Sequence, residues 1–123
     1  MQQLCLNGQI VNLEEVTESY FHYIIAWRND PVNNQYLNQP FHLNMEKQRA
    51  WYEHYMADDT QGLLVVVDKE DNTPFATMGW TDYDVERHRC ITGRLLFGDH
   101  RYRGSAHFAE ATLLFADYVY DTL

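Results

Sequence analysis

Hydrophobic and polar positions change their spacing along the chain. Apolar residues recur every three or four positions over residues 13–29 and again over residues 44–57, which predicts two helices. Asn44 is a candidate N-cap of the second helix. The first should end at Asp30-Pro31, because the residue before a proline is pushed out of helical geometry. Ahead of them, residues 3–11 predict a short strand with a turn at Asn7-Gly8.

Three apolar segments separated by polar turns follow, at residues 62–67, 75–83 and 89–97. They predict an antiparallel meander. Residues 106–121 predict a final helix that is apolar on nearly all sides and therefore well buried. The order β-α-α-β-β-β-loop-α predicts one α+β domain over residues 1–123 with a mostly antiparallel central sheet. No helix-ending signal follows residue 120, so we expect a part of the fold to be missing after the last helix.

Composition narrows the class of protein. The chain is 46% hydrophobic, which is typical of a globular domain, and its net charge of −9 argues against a nucleic-acid or anionic-membrane partner. Apolar runs of about five residues are too short to span a bilayer. We see no signal peptide, so Cys5 and Cys90 are expected to be reduced core residues of a cytoplasmic protein. No metal site is predicted.

Positive charge is concentrated in residues 87–107, which hold five arginines and one acidic residue, whereas the other 102 residues carry a net charge of −13. One interpretation is a local anion site. The other is that these arginines pair with the acidic residues around them. Charge alone does not decide between the two.

The stretch Arg101-Tyr102-Arg103-Gly104-Ser105-Ala106 lies where the last helix should begin. The first N–H groups of a helix lack intrahelical partners, and a glycine lets the backbone approach a ligand closely. Arginines add charge and forked donors that match phosphate. The stretch therefore predicts a phosphate cradle, with an ordinary surface turn capped by Ser105 as the alternative.

The stretch Arg101-x-x-Gly104-x-Ala106 resembles the acetyl-CoA signature Gln/Arg-x-x-Gly-x-Gly/Ala of the GNAT superfamily of N-acetyltransferases. Four further segments are similar to the branch that includes ribosomal-protein, polyamine and nucleotide-sugar acetyltransferases: Trp27-Arg28-Asn29-Asp30-Pro31, Met78-Gly79-Trp80, Arg94-Leu95-Leu96-Phe97-Gly98-Asp99 and Glu110-Ala111. The resemblance covers essentially the whole chain in order. It implies a GNAT-like fold truncated after the helix that follows the cofactor loop.

That resemblance implies acetyl transfer from acetyl-CoA to a primary amine of a small molecule or a protein N-terminus. The backbone that would bind the pyrophosphate belongs to Arg101, Tyr102, Arg103, Gly104, Ser105 and Ala106. The strand that would pair with the pantetheine arm contributes Leu95, Leu96 and Phe97. The acceptor side implies Trp27, Arg28, Asn29, Tyr36 and Tyr83. Core packing is the alternative for Trp27, and a structural link is the alternative for Arg28 and Asn29. The acidic remainder of the chain suits a cationic acceptor.

The chain departs from the family in its acid–base residues. Many relatives carry a glutamate at the position of about Thr92 or Gly93, and neither residue is a usable base. Substitutes near the strand ends are Asp82, Asp84, Glu86 and His88, each of which is otherwise a solvated turn residue. The acidic tyrosine of many relatives lies in the third of the fold that we expect to be missing.

Two other functions stay open from the sequence. One is a truncated, catalytically inactive domain that acts as an oligomerising interaction module, and the other is an unrelated α+β ligand-binding domain. A fold that ends after the last helix would leave the strand at residues 89–97 with an open edge, and open strand edges promote association. We therefore expect a homodimer or a strand-exchanged oligomer.

Overall fold

The computed structural model describes residues 4–34 and 42–122, apart from the side chain of Asn34. The strands are β1 (Cys5–Asn7), β2 (Val11–Glu15), β3 (Gly62–Asp68), β4 (Thr73–Asp84) and β5 (Arg89–Phe97). The helices are α1 (Phe21–Asn29), α2 (Pro31–Asn34), α3 (Met45–Ala57) and α4 (Ala106–Thr122), and single 3-10 turns occupy Glu18–Tyr20 and His100–Tyr102. The predicted α+β class and the antiparallel meander are confirmed.

All five strands form one antiparallel sheet in the order β1-β2-β3-β4-β5. Because side chains alternate along a strand, each face of the sheet carries its own core. The face toward α4 buries Val11, Leu13, Leu64, Val66, Phe75, Ala76, Met78, Trp80, Phe97 and Ala111. The face toward α1 and α3 buries Val16, Phe21, Ile24, Tyr55, Leu63, Val65 and Val67. The domain is thus a sheet between two helical layers.

The prediction for the first 29 residues is wrong in its boundaries. Residues 3–11 form not one strand but the first part of a hairpin of β1 and β2, and the helix begins at Phe21 rather than at residue 13. Val11 and Leu13 alternate into the core and are fully buried, so residues 11–15 follow the period of a strand. Glu14, which lies within the predicted helix at residues 13–29, instead belongs to β2 and accepts a hydrogen bond from the Tyr20 hydroxyl at 2.7 Å.

The predicted C-terminal end of α1 and the predicted N-cap of α3 are confirmed. α1 ends at Asn29, directly before Asp30-Pro31, and Pro31 begins the short α2. The Asn44 side chain caps α3 by accepting a 2.9 Å hydrogen bond from the Lys47 N–H. Such caps satisfy a backbone donor that has no intrahelical partner.

Two predictions about burial are wrong. α4 is not buried all round: within its described residues only Ala111 is buried, while the exposed fractions of Leu113 and Tyr120 reach 66% and 87%. One face of α4 packs on the sheet. Its opposite face is not covered by any further layer of the described residues. Cys5 and Cys90 are free thiols, as expected, but Cys5 is exposed and Cys90 is only half-buried. Within residues 4–34 and 42–122 the longest helices are too short or too polar to cross a membrane.

The pairing of β4 with β5 contains an irregularity. Gly79 pairs with Gly93, but Thr77 pairs with Leu96, so two steps along β4 correspond to three along β5. The extra residue is a β-bulge, and within this step Arg94 has a positive φ of 56°. Such a backbone is uncommon for a residue other than glycine. The bulge changes the direction of the strand just before its C-terminal end.

Candidate functional site

The bulge in β5 places Arg94 at a cavity beneath α1 and α3. The Thr77 hydroxyl of β4 donates a 2.8 Å hydrogen bond to the Arg94 carbonyl, which fixes the irregular backbone. The cavity has a volume of about 290 Å³ and is lined by Ile24, Arg28, Trp51, Leu63, Thr77, Arg94, Leu95 and Leu96. We call it the Arg28–Arg94 cavity. Its walls come from α1, α3 and the three consecutive strands β3, β4 and β5.

The charge in this cavity is positive. Burial lowers the pKa of both Arg28 and Arg94, and the Arg28 guanidinium lowers that of Arg94 further. Tyr55 and Asp58 act on Arg94 in the opposite direction. Neither of these two groups lines the cavity, and no carboxylate does so among the described residues. Two partly desolvated guanidiniums therefore face an otherwise apolar space.

Arg94 is held from two sides. Its Nη2 donates a 2.5 Å hydrogen bond to the Oε1 of Gln61, and its guanidinium carbon lies 5.8 Å from the centre of the Trp51 ring. The second terminal nitrogen, Nη1, is buried and has no hydrogen-bond partner in the part of the chain that the structure describes. A buried donor without an acceptor is uncommon in folded proteins. The side chain thus keeps hydrogen-bonding capacity for a further group.

β5 leads from this cavity directly into the predicted phosphate cradle. The Asp99 side chain accepts from the Arg101 N–H at 3.0 Å and forms an ion pair with the Arg101 guanidinium at 2.7 Å. Arg103 lies over the Phe97 ring at 4.6 Å, and its Nε donates to His100. Arg101 therefore pairs with an acid while it lines the loop, whereas Arg94 faces the cavity.

The start of α4 combines a glycine of positive φ with a side-chain cap. Gly104 has a φ of 72°, in the region that favours glycine. The Ser105 hydroxyl accepts from the Phe108 N–H at 3.2 Å, and the Ser105 carbonyl accepts from the Ala109 N–H. Ser105 thus caps the helix, and the N–H groups of Ala106 and His107 keep no partner within α4. The capped turn and the cradle are compatible.

Tyr102 anchors the loop to the sheet. Its hydroxyl donates a 2.8 Å hydrogen bond to the buried Asp68 carboxylate, and its ring stacks on Phe75 at 3.8 Å between centroids. His107 lies 3.4 Å from the same carboxylate. A second cavity of about 310 Å³ is lined here by Arg101, Tyr102, Ser105 and His107. A phosphate group fits the donors of this cavity, because backbone N–H groups and an arginine border one open space.

The predicted acid–base residues lie elsewhere. Asp82, Glu86 and His88 are exposed on the β4–β5 hairpin, and the Asp84 side chain accepts from the N–H groups of Glu86 and Arg87. His88 borders a separate open cavity between β5 and the end of α4. None of the four lines the Arg28–Arg94 cavity. Their catalytic role stays a prediction.

Of the predicted acceptor residues that the structure describes, only Arg28 lines the Arg28–Arg94 cavity. Trp27 is buried, with its indole where a Cβ on Gly98 would lie. The Asn29 amide bonds both backbone groups of Leu43, at 2.7 and 2.9 Å, so it ties α1 to the start of α3. Tyr83 packs against the core on the α4 side. Tyr36 lies outside the described residues.

The structure brings Leu95 and Leu96 of the predicted cofactor strand to the same cavity as Arg28, whereas Phe97 turns into the core beneath α4. The sequence prediction missed five of the cavity's residues: Ile24, Trp51, Leu63, Thr77 and Arg94. Trp51 and Thr77 carry no signal beyond their place in an apolar segment. Arg94 carried one, as an arginine within an apolar strand, although its orientation depends on the bulge.

Residues 11–123 match the family model "Acetyltransferase (GNAT) domain". Among solved structures, a Vibrio cholerae spermidine N-acetyltransferase in complex with CoA and spermine superposes with a TM-score of 0.77 at 14% identity, over 94% of this chain and 66% of that one. A nucleotide-linked sugar GNAT in its apo form gives 0.74 at 19% identity, over 95% and 66%. A GNAT of Brucella melitensis gives 0.75 at 19%, over 100% and 57%. The comparison with curated proteins gives no match.

The chain spans somewhat less than two thirds of the length of these three structures. At such low identity the likeness shows the fold, and the match to the family model shows the family. The resemblance inferred from the sequence is confirmed. Proteins of this family use acetyl-CoA, and the spermidine enzyme was solved with CoA.

Proposed function

Since the chain belongs to the GNAT acetyltransferase domain family, we propose that it transfers an acetyl group from acetyl-CoA to a primary amine. One observation carries the proposal for this chain: β5 leads from a cavity of amine size to an anion cradle, with four residues, 97–100, between Leu96 and Arg101. A single bound molecule with a phosphate end and a reactive end can follow the strand between the two. The interaction-module alternative has no comparable observation in its favour.

The residues of this chain divide the task of binding. N–H groups at Gly104, Ala106 and His107, together with Arg101, hold the pyrophosphate, because helix N-termini and guanidiniums favour anions. The backbone of Leu95 and Leu96 pairs with the pantetheine arm. When bound, acetyl-CoA supplies an acetyl group activated as a thioester. The bulge at Arg94 directs that end of the strand toward the cavity.

In the proposed reaction, the lone pair of the amine forms a C–N bond to the acetyl carbonyl carbon, the C–S bond breaks, and the thiolate leaves with a proton. The amine must lose one proton before or during the attack. Like charges disfavour the charged form of a group, so Arg28 and Arg94 lower the pKa of an amine bound beside them. The cavity therefore favours the nucleophilic free amine without a carboxylate base in its walls.

The experiment is a calorimetric titration of acetyl-CoA into the folded protein at low salt, followed by an assay of thiol release with a panel of amines. The Arg101→Ala/Arg103→Ala variant should bind acetyl-CoA at least about tenfold more weakly, since it loses the Arg101 donor and a second positive charge of the same loop. The Arg87→Ala/Arg89→Ala variant removes the same charge from the exposed hairpin and should bind like wild type. Absence of saturable binding by the folded wild-type chain would overturn the proposal.

The assembly and the compartment belong to the same proposal. β5 is an edge strand with Ile91 exposed, so a homodimer or strand-exchanged oligomer that covers this edge ahead of Leu95 is supported by the open hydrogen-bonding groups there. Light scattering at high concentration tests it, and a strictly monomeric species contradicts it. The free thiols of Cys5 and Cys90 suit a reducing compartment such as the cytoplasm.

A further inference from the structure

We propose that the Arg28–Arg94 cavity binds a carboxylate of the acceptor, so that the acceptor is a small amino-carboxylate with an apolar body. The inference rests on the proposed function for the acetylation of the amine, but the binding of the carboxylate stands on the cavity itself. It reverses the expectation that an acidic chain prefers a cationic acceptor.

The first argument is local charge. The chain carries a net charge of −9, yet two guanidiniums and no carboxylate line this cavity within the described residues. Arg28 and Arg94 are partly desolvated and repel each other. An anion between them relieves the repulsion, whereas a polyamine adds to it. Even with one carboxylate bound, the cavity keeps a positive charge that favours the free amine.

The second argument is the state of Arg94. Gln61, Trp51 and the bulge hold its guanidinium in place, and Nη1 is left without an acceptor in the described part of the chain. A guanidinium presents its donors in a fixed fork that matches the two oxygens of a carboxylate. A donor that is already positioned binds with little loss of side-chain entropy. The structure thus holds one prepared donor for an anionic group.

The third argument is size and lining. At about 290 Å³ the cavity is at the lower end of the range for ligand sites. Apart from the two arginines and Thr77, its walls are apolar and aromatic: Ile24, Trp51, Leu63, Leu95 and Leu96. A nucleotide or a folded protein surface does not fit this space. An amino acid with an aliphatic or aromatic side chain does, with its carboxylate at the arginines and its body on Trp51 and Leu63.

The test compares matched ligands by calorimetry with the folded protein, in the presence and absence of CoA. L-Leucine and L-phenylalanine are the carboxylate probes, their amides remove only the negative charge, and 3-methylbutylamine and spermidine lack it altogether. We expect the amino acids to bind at least about tenfold more tightly than their amides. Phosphoethanolamine tests whether a phosphate is preferred to a carboxylate.

Three variants locate the effect. Arg94→Met and Arg28→Met should each abolish the preference for the acid over the amide, whereas Arg87→Met, which removes an exposed arginine of the hairpin, should leave it unchanged. Circular dichroism checks that each variant folds. Should Arg94→Met fail to fold, Arg94→Lys keeps the charge without the fork and should reduce the preference, and the comparison of ligands on wild type is decisive by itself.

The outcomes separate the inference from the proposed function. Binding of acetyl-CoA and thiol release with amides or spermidine, without preference for the acids, would overturn the carboxylate site and leave the acetyltransferase. Binding of the acids by a chain that does not bind acetyl-CoA would keep the site and overturn the acetyltransferase. Tighter binding of phosphoethanolamine than of any amino acid, or no binding of any acid, also overturns the inference.

Discussion

The Asn33 side chain donates a 2.8 Å hydrogen bond to the main-chain carbonyl of Phe97, 64 residues further along the chain. The same nitrogen donates to the Trp27 carbonyl at 2.9 Å, and Asn33 is buried. One amide therefore joins the C-terminal end of α1, the short α2 and the last residue of β5. The Asn33 amide therefore fixes the position at which β5 ends and the loop of residues 99–105 follows.

Replacement of this amide tests the link. Asn33→Ala removes two buried hydrogen bonds that join distant segments, so we expect the free energy of unfolding to fall by about 2 kcal/mol. Chemical denaturation at neutral pH measures it. Asn7→Ala, at an exposed position of β1, is the control and should change stability by less than about 0.5 kcal/mol. An unaffected Asn33→Ala protein would show that the link contributes nothing.

Position 98 needs a glycine because the Trp27 indole leaves no room for a side chain, and not because of its backbone conformation. A Cβ on Gly98 would lie 2.0 Å from a carbon of the buried indole. Gly98→Ala should therefore lower the free energy of unfolding by about 1–3 kcal/mol through overpacking. In Gly93→Ala, five residues earlier within β5, the added Cβ meets no atom within 4 Å, so the substitution should be close to neutral. Thermal unfolding of the pair decides, and equal melting temperatures would contradict the prediction.

Glu110 ties α4 to the start of the sheet, and its contribution should depend on pH. Its Oε1 accepts from the N–H groups of Ile10 and Val11 at 2.9 and 3.0 Å. Desolvation raises the pKa of this carboxyl, but the backbone hydrogen bonds outweigh it and hold the pKa below the ordinary value of 4.5. The stabilisation is therefore present above that value and is lost as the pH falls through the folded-state pKa.

We expect Glu110→Gln to be about 1 kcal/mol less stable than wild type at neutral pH, since a neutral acceptor replaces a charged one. The difference should shrink as the pH falls below 4.5. Denaturation curves over this range measure it, with Glu53→Gln on the exposed side of α3 as the control. A difference that grows toward acid would show that the sign is wrong.

Tyr102 should stabilise the loop through its hydroxyl as well as its ring. The hydrogen bond to Asp68, with burial, raises the pKa of Tyr102 to about 12, so the phenol stays protonated and donates. Tyr102→Phe keeps the stacking on Phe75 and should lower the free energy of unfolding by about 1–2 kcal/mol. Tyr120→Phe, at an 87% exposed position, is the matched control. Indistinguishable denaturation midpoints for the two variants would contradict a role for the hydroxyl.

The meander and the turn at the start of α4 were predictable because their signals are local. Polar turns separate the three strands, and Gly104 with Ser105 specifies its own turn. The start of α1 could not be predicted correctly, because Val16 and Tyr20 match the spacing of a helix by coincidence. Val16 instead continues the pairing just after β2, where its N–H donates to the Leu63 carbonyl and its side chain is buried. That pairing joins residues distant in sequence, which a periodicity cannot show.

The candidate site divides in the same way. The residues of the loop follow from a contiguous motif, whereas the Arg28–Arg94 cavity requires α1, α3 and three strands to meet. Arg28 could be named from its segment, but its partner Arg94 depends on the backbone at φ 56°. Nor does the sequence show that Trp27 packs against Gly98, or that Asn29 forms hydrogen bonds with Leu43.

The extra residue in β5 also sets the parity of the strand. Before it, even-numbered residues such as Cys90 and Thr92 share the α4 side with Trp80; after it, the odd-numbered Phe97 does. A regular strand that kept every residue would turn Leu96 toward α4 and Phe97 toward the cavity, whereas deletion of one residue between Gly93 and Leu96 would leave both opposite Thr77 and Ala76, as they are. The face of the sheet on which each of the last two residues of β5 lies thus depends on one extra residue in the strand.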